Sequence, residues 1–410
     1  MHGNTDVAAP LLDVRDLRVQ FDTDAGVVTA VDGVSLQVRG GRTVAIVGES
    51  GCGKTVTALS IMRLIPQPPG RISAQRMFFR PVGSVGGTEA SRHVVIPSVS
   101  APARVRRLAG VFARPDRSRR HDSASIGERE GVLDLLALDI QDMRTVRGNH
   151  IAMIFQEPFV SLNPVYTVGA QIVEAIELHQ ELRGRASRAL AVELMRQVGI
   201  PSPAVRFNDY PHQMSGGMLQ RAMIAMALSC RPSLLIADEP TTALDVTVEV
   251  RILDLLQTLQ RATGMSIVVI THDLGVVARI ADYVYVMYAG RIVEHAPADA
   301  LLADPRHPYT RGLMRCAPRF RGAGDKLDVI PGAVPDPAHF PPGCRFHPRC
   351  ALSTERARLS HRVAIEAESS VGGPVLRRCV EKYADEPSGS PMLAKCRTHH
   401  FVACWEASGA

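Results

Sequence analysis

A glycine-rich segment at residues 48–55 constrains the fold of this chain more than any other feature. It reads Gly-Glu-Ser-Gly-Cys-Gly-Lys-Thr and lies between an apolar run and a helical pattern that begins near Lys54. This is the spacing of a P-loop, in which glycines let successive backbone N–H groups face a polyphosphate and the helix N-terminus adds a positive dipole. The residues predicted to bind the nucleotide are Gly48, Glu49, Ser50, Gly51, Cys52, Gly53, Lys54 and Thr55.

Within this loop, Lys54 is predicted to contact the β- and γ-phosphates and the Thr55 hydroxyl to ligate Mg²⁺. Residues 11–38 alternate apolar and polar positions, which predicts antiparallel strands leading into the P-loop strand. Phe21 on this hairpin is either a core aromatic or a platform that stacks on adenine, and the sequence leaves both open.

Polar side chains follow three apolar strand patterns, at the end of an open α/β sheet where ligands bind. Gln156 is predicted to ligate Mg²⁺ or orient the attacking water, with a core or capping role as the alternative. Asp238 is predicted to hold Mg²⁺ through water, and Glu239 to polarise the water that attacks the γ-phosphorus. His272 either bonds the γ-phosphate and holds Glu239 or the water, or only caps the next helix.

Composition sets the broad class of the protein. A chain of 410 residues with 46% hydrophobic content has room for one large domain and a smaller one. Its apolar runs are shorter than the about 20 residues of a membrane helix, and the N-terminus lacks a signal-peptide core. These features predict a soluble cytoplasmic protein, which is compatible with a peripheral place on a membrane complex.

The net charge of +6 is unevenly distributed, because arginine is concentrated in residues 75–131. This segment has little periodicity, so it is predicted to be a flexible insertion. Its arginine clusters could bind anionic lipid or nucleic acid, but a solvated loop is the favoured interpretation.

The motifs occur in the order found in ABC-type ATPases, and residues 11–300 resemble that family. The resemblance implies an α/β P-loop NTPase fold of ABC type, with a RecA-like core, an antiparallel β subdomain and a helical subdomain. It also implies that two cassettes dimerise head to tail. The segment that would cap the nucleotide of the other chain contains Ser215, Gly216, Gly217 and Gln220, and Asp245 matches the D-loop.

Three segments, at 154–158, 161–164 and 307–313, resemble the ATP-binding subunits of oligopeptide and dipeptide importers. That family implies two transmembrane permease subunits, a second ABC ATPase in a heterodimer and an extracytoplasmic substrate-binding protein, on the cytoplasmic face of the plasma membrane. Residues 157–165 would contact the permease. Leu219 departs from the family, whose signature loops usually carry a basic or polar residue there. The alternatives are a nickel or other small-solute importer ATPase and a soluble ABC ATPase acting on nucleic acid, although no nucleic acid is expected.

Five cysteines crowd the C-terminus, after a Pro-rich linker predicted at 301–343, and residues 344–410 are predicted to form a cysteine-rich region. In a chain without an export signal, such a cluster indicates metal ligation rather than disulfides. Four thiolates suit either zinc or a four-iron cluster. The region resembles the C-terminal extension of the peptide-importer subunits, which implies a 4Fe-4S iron–sulfur cluster. The implied ligands are Cys344, Cys350, Cys379 and Cys404, leaving Cys396 spare.

Overall fold

The computed structural model of the chain describes residues 9–24, 26–81, 131–242, 245–316, 329–359, 364–365, 369–380, 392–404 and 406–407. Its strands are β1 (Leu12–Thr23), β2 (Gly26–Val38), β3 (Thr43–Val47), β4 (Gly70–Ser73), β5 (Arg76–Phe79), β6 (Leu133–Asp134), β7 (Ile151–Ile154), β8 (Leu234–Asp238), β9 (Ser266–Thr271), β10 (Tyr283–Tyr288), β11 (Arg291–Pro297), β12 (Ala364–Ile365), β13 (Val375–Leu376), β14 (Ala394–Arg397) and β15 (His400–Val402).

Helices connect these strands and cover the larger sheet. In chain order they are α1 (Lys54–Ile61), α2 (Ile140–Val146), α3 (Pro158–Ser161), α4 (Val168–His179), α5 (Arg185–Gln197), α6 (Pro203–Arg206), α7 (Gly216–Leu228), α8 (Val246–Thr263), α9 (Leu274–Ile280), α10 (Ala298–Ala303), α11 (Pro308–Cys316), α12 (Ala351–Leu359) and α13 (Arg377–Val380). Among the described residues, 3₁₀ turns occur at Pro211–Gln213 and His347–Arg349.

The central sheet has the strand order β14-β15-β11-β10-β3-β9-β8-β7. Strands β7, β8, β9, β3 and β10 are parallel, and β11, β15 and β14 continue the sheet with antiparallel pairing. Every residue of β3, β8 and β9 is buried, as expected for parallel strands covered on both faces. The P-loop strand β3 therefore lies inside the sheet, with β9 and β10 as its neighbours.

Successive side chains of β3 enter two different cores, because side chains alternate across a strand. Val44 and Ile46 pack with the antiparallel strands and α1, whereas Ala45 and Val47 pack with α4, α5, α7 and α8. These two cores lie on the sides where an antiparallel β subdomain and a helical subdomain were predicted, on either face of the P-loop sheet.

The antiparallel sheet has the order β2-β1-β5-β6, with β4 also paired to β1. The predicted insertion at 75–131 is wrong at its start, because Arg76–Phe79 pair with β1 as an ordered strand. Met77 and Phe79 are fully buried there, which an arginine-rich composition did not indicate. Strand β6 resumes the pairing on β5, and residues 82–130 lie outside the described part of the chain.

The C-terminal region is joined to the cassette through a buried carboxylate, Glu294 of β11. It accepts hydrogen bonds from the backbone N–H groups of Arg306 and His307 at 2.7 and 2.8 Å, and its Oε1 lies 2.6 Å from Nε2 of His400. Glu294 and His400 are both buried. The carboxylate therefore ties the connection before α11 and the strand β15 to the same point of the sheet.

Residues 301–343, predicted as a Pro-rich linker, contain the ordered helix α11, whose Tyr309 is fully buried. In the part of the chain that the structure describes, no helix combines the length and apolar character needed to cross a membrane.

Candidate active site

The P-loop folds around the ammonium group of Lys54. Its Nζ donates hydrogen bonds to the carbonyl oxygens of Gly48 and Glu49, at 2.8 and 2.9 Å, and the side chain is 5% exposed. Thr55, the next residue, is exposed at the first turn of α1. The structure thus places the lysine inside the loop with the exposed Thr55 beside it, as a phosphate and Mg²⁺ site requires.

Two glycines allow this loop to pack against the neighbouring backbone. A Cβ on Gly48 would lie 2.2 Å from the carbonyl oxygen of Met287, and one on Gly53 would lie 2.5 Å from that of Ala30. Gly53 also has a φ of +103°, which L side chains rarely adopt. Any side chain at either position would displace the loop from the ends of β2 and β10.

Three strand ends bring polar groups to the carboxylate of Glu239. Gln156 Nε2, after β7, donates to Oε2 at 3.0 Å, and Nδ1 of His272, after β9, lies 3.1 Å from Oε1. The hydroxyl of Thr242 also donates to Oε2, at 2.8 Å. Sequence reasoning identified Gln156, Glu239 and His272 but missed Thr242, since a threonine in a turn carries no distinctive pattern.

The backbone at Glu239 is strained, with a φ of +45° directly after β8. Its N–H donates to the carbonyl of Ile270 at 2.9 Å, so pairing with β9 holds the residue in this conformation. Burial raises the pKa of the Glu239 carboxyl, but the hydrogen bonds with His272 and Thr242 outweigh this and bring it below its usual value. Glu239 is consequently ionised at neutral pH and aimed into the site.

Asp238 has the opposite electrostatic situation. Burial raises its pKa, and the neighbouring Glu239 charge adds to the effect, although a hydrogen bond with the Thr55 hydroxyl acts in the other direction. Its Oδ1 is buried and has no hydrogen-bond partner among the residues that the structure describes. A buried carboxylate oxygen without a donor, next to an exposed hydroxyl, fits an oxygen-ligated divalent cation such as Mg²⁺.

The predicted signature segment begins helix α7. Ser215 is the exposed N-cap, its side chain makes no capping bond, and Gly216 and Gly217 form the first turn. The side chain of Gln220 is only 2% exposed, and its role toward a nucleotide stays a prediction. Leu219 is fully buried too, which explains an apolar residue at that position.

Two further predicted residues occupy positions at the edge of the cassette core. Asp245 caps α8 by accepting a hydrogen bond from the N–H of Val248 at 2.9 Å. Phe21 is half-buried in β1, where it pairs with Val28 and Gly70 and packs on the core of the antiparallel sheet. Phe21 therefore contributes to this core, and its role toward adenine stays a prediction.

The four predicted cysteine ligands line one small enclosed cavity, together with His307, His347 and Glu406. Burial, reinforced by the neighbouring thiols, raises the pKa of Cys350 to about 12, and burial raises that of Cys379 to about 11. All four are free thiols, and Cys344 donates its N–H to the carbonyl of Cys379 at 2.9 Å. Among the described residues, however, no three His, Cys, Asp or Glu side chains are arranged to hold a metal ion.

Comparison with known families identifies two regions. The ABC transporter profile matches residues 31–96 and 123–242, and the oligopeptide/dipeptide transporter C-terminal region profile matches residues 293–356. A putative peptide import ATP-binding protein of Brucella melitensis is 47% identical over 352 residues, covering 84% of this chain and 90% of the relative. A probable peptide ABC transporter ATP-binding protein of Sinorhizobium fredii is 41% identical over 403 residues, covering 97% and 95%.

Among solved structures, a dimeric ATP-binding cassette in a post-hydrolysis state with ADP and Pi has a TM-score of 0.51 and 21% identity. The match covers 70% of this chain and 98% of that one, and it supports the cassette fold.

The substitution Gly53→Ala tests the packing of the P-loop. We expect the affinity for MgATP to fall at least about tenfold, because the new Cβ would lie 2.5 Å from the Ala30 carbonyl and shift the loop. Gly264→Ala is the control, since Gly264 has a φ of +71° but a Cβ added there would meet no atom within 4 Å. Backbone strain alone should lower the unfolding free energy of each variant by about 1 kcal/mol, and the clash with the Ala30 carbonyl should lower that of Gly53→Ala further. Equal MgATP affinity in the two variants, measured by equilibrium titration, would contradict the steric argument.

Proposed function

The chain belongs to the ABC transporter family and is an ATPase of a peptide importer, acting with ATP and Mg²⁺, and we propose the role of each residue of its site. Glu239 is the group that activates water for hydrolysis. The observation that carries this assignment is the convergence on its carboxylate of Gln156 and His272, from the ends of the two neighbouring strands, and of Thr242, from the turn after β8.

In the proposed reaction, the P-loop N–H groups and Lys54 hold the triphosphate. The Glu239 carboxylate accepts a proton from a water whose oxygen bonds the γ-phosphorus as the bond to the β-phosphate oxygen breaks. His272 and Gln156 orient Glu239 and this water, since both lie within hydrogen-bond distance of its carboxylate. Mg²⁺, when bound by Thr55 and Asp238 with Gln156 as a further ligand, neutralises charge on the phosphates.

Glu239→Gln keeps the size of the side chain but removes its negative charge. We expect ATP turnover in the permease complex to fall by about 10²- to 10⁴-fold, with MgATP binding retained, because the phosphate cradle is unchanged. Glu181→Gln, at an exposed position after α4, is the matched control and should hydrolyse ATP normally. Unimpaired phosphate release by the Glu239 variant would remove it from the proposed role.

The signature segment supports a composite site between two ATPases. Ser215 is exposed at the N-terminus of α7 and its side chain makes no capping bond, which suits contact with phosphate oxygens of a nucleotide held by another cassette. We assign this role to Ser215, Gly216 and Gly217, with Gln220 in the next turn of the same helix. Asp245 would lie near the same interface, and the second ATPase is proposed to be a related, different chain.

An exposed apolar surface follows Gln156 and is proposed to receive a cytoplasmic helix of the permease. Its members are Phe159, Val160, Val165 and Tyr166, which are 59%, 78%, 70% and 58% exposed. Large exposed apolar side chains grouped on a surface mark an interaction site. Since Gln156 bonds Glu239 directly, a shift of this surface reaches the hydrolytic site within one hydrogen bond. The resulting location is peripheral, at the cytoplasmic face of the plasma membrane, with an extracytoplasmic substrate-binding protein completing the importer.

Val160→Asp tests this surface by placing a charge in the proposed apolar contact. We expect the variant to be lost from the permease complex during co-purification from membranes, while its MgATP affinity stays unchanged. Val329→Asp is the control, because Val329 is 82% exposed and lies in the C-terminal region. Equal recovery of both variants with the permeases would contradict the assignment.

The four thiols that line the C-terminal cavity are proposed to hold an iron–sulfur cluster, with zinc as the alternative. The proposal is supported by four free thiols that line one cavity, of which Cys350 and Cys379 are buried and Cys344 and Cys404 half-buried, since thiolates ligate either metal. The relatives' peptide-importer names favour this family over a nickel importer or a nucleic-acid ATPase.

Metal analysis of anaerobically purified full-length chain tests the cluster. We expect iron with matching acid-labile sulfide, strongly reduced in Cys379→Ser because one ligand is removed. Cys396→Ser should retain the metal, since Cys396 does not line the cavity. Stoichiometric zinc would exclude iron, and a metal-free protein would exclude both assignments.

A further inference from the structure

An ion pair joins the C-terminal cysteine region directly to the P-loop. The guanidinium of Arg349 donates to both carboxylate oxygens of Glu49, from Nη1 to Oε2 at 2.7 Å and from Nη2 to Oε1 at 2.9 Å. Glu49 is the second residue of the loop that cradles the phosphates, and Arg349 immediately precedes the thiol Cys350. The contact is a two-bonded fork, the geometry in which arginine binds carboxylates most strongly.

Arg349 is also held from other sides. Its side chain is 2% exposed, and its Nε donates to the carbonyl of Pro331 at 2.7 Å. Nη1 lies 3.4 Å from the hydroxyl of Tyr288 at the end of β10. These contacts hold the Arg349 side chain in one orientation independently of Glu49. Movement of the segment that carries Arg349 would therefore move the Glu49 carboxylate.

A second arginine from the same segment reaches the opposite side of the P-loop. Arg345 donates to the carbonyl of Ala289 and pairs with Asp32. The adjoining Gly290 donates its N–H to the carbonyl of Cys52, at 3.0 Å. Residues 344–350, which we call the thiol-bracketed segment because Cys344 and Cys350 end it, thus support the P-loop at two points.

Aromatic packing fills the space between these two arginines. Phe346 of the thiol-bracketed segment lies against Tyr288 and Tyr309, with ring centroids 5.2 and 5.4 Å apart. The hydroxyl of Tyr309 accepts a hydrogen bond from the N–H of Glu49 at 2.8 Å. Glu49 is therefore held through its side chain by Arg349 and through its backbone by Tyr309.

We propose that Arg349 is a positioning residue for the ATP site, through which the thiol-bracketed segment orients Glu49 and neutralises its charge beside the phosphates. The inference rests on the proposed ATPase function and adds a regulatory link to it. Without Arg349, the Glu49 carboxylate would stand unpaired next to the triphosphate and repel it. The order of Arg349 and the affinity for ATP are thermodynamically linked. A conformation of the cysteine cavity that orders Arg349 therefore strengthens ATP binding, and ATP binding favours that conformation by the same factor.

The first test measures the Kd for MgATP by equilibrium titration of the full-length chain. Arg349→Met should weaken binding by about tenfold or more, and Arg349→Lys should weaken it less because it keeps the charge. Combining Arg349→Met with Glu49→Gln should recover most of the loss, because the unpaired charge is gone. Arg358→Met is the control, since Arg358 is exposed on α12 and donates to the Gly372 carbonyl.

The kinetics in the permease complex separate the proposal from a purely structural role. If the proposal holds, Arg349→Met raises KM for ATP and changes kcat little, because Glu239 and its partners are untouched, whereas a general loss of structure would lower kcat as well. A Kd equal to that of the original chain, or a double variant as weak as Arg349→Met, overturns the proposal. If the original chain itself fails to bind and hydrolyse MgATP, the proposed function fails instead, so the two failures are distinguishable.

The second test examines the link to the cysteine cavity. Cys379→Ser removes a thiol from α13, on a different segment from Arg349, and should also weaken MgATP binding. In the Arg349→Met background it should cause no further loss, because the connection to Glu49 is already broken. An unchanged Kd in Cys379→Ser, or additive losses in the double variant, overturns the link between the cavity and the P-loop.

Discussion

The close packing of the P-loop against the end of β10 is the constraint on which the rest of the site depends. The carbonyl of Met287 lies where any Cβ on Gly48 would be, and Gly290 bonds the carbonyl of Cys52. Because β10 neighbours β3 in the sheet, this contact sets the loop relative to all the parallel strands. The position of the P-loop backbone is thereby determined by backbone contacts that leave no space for a side chain at Gly48.

The hydrolytic side of the site follows from the same sheet. Glu239 leaves β8 in a strained backbone conformation, and its N–H is held by β9. Strain of this kind persists only where surrounding structure determines it, and it often marks functional residues. Here it turns the carboxylate toward Gln156 and His272, which arrive from the strands on either side.

The C-terminal region is attached to the cassette by two different physical means. Near β11, the buried Glu294 carboxylate makes hydrogen bonds with two backbone N–H groups and with His400, where β15 pairs with β11 and extends the main sheet. Near the P-loop, a buried arginine pairs with Glu49. The first contact anchors the region to the sheet, and the second joins it to the P-loop.

Sequence patterns were enough to predict the P-loop, the acidic strand end, Gln156, His272 and the ABC-type fold, because each depends on short-range spacing and turn chemistry. They also identified four cysteines that the structure brings to one cavity. The burial of Gln220, the strand at Arg76–Phe79 and the contact of Thr242 with Glu239 depend on packing between distant segments or on a turn without a distinctive pattern. The pairing of Arg349 with Glu49 joins residues 300 positions apart. Such a contact follows from how the sheet, α11 and the C-terminal region pack together, and no local pattern of residues encodes it.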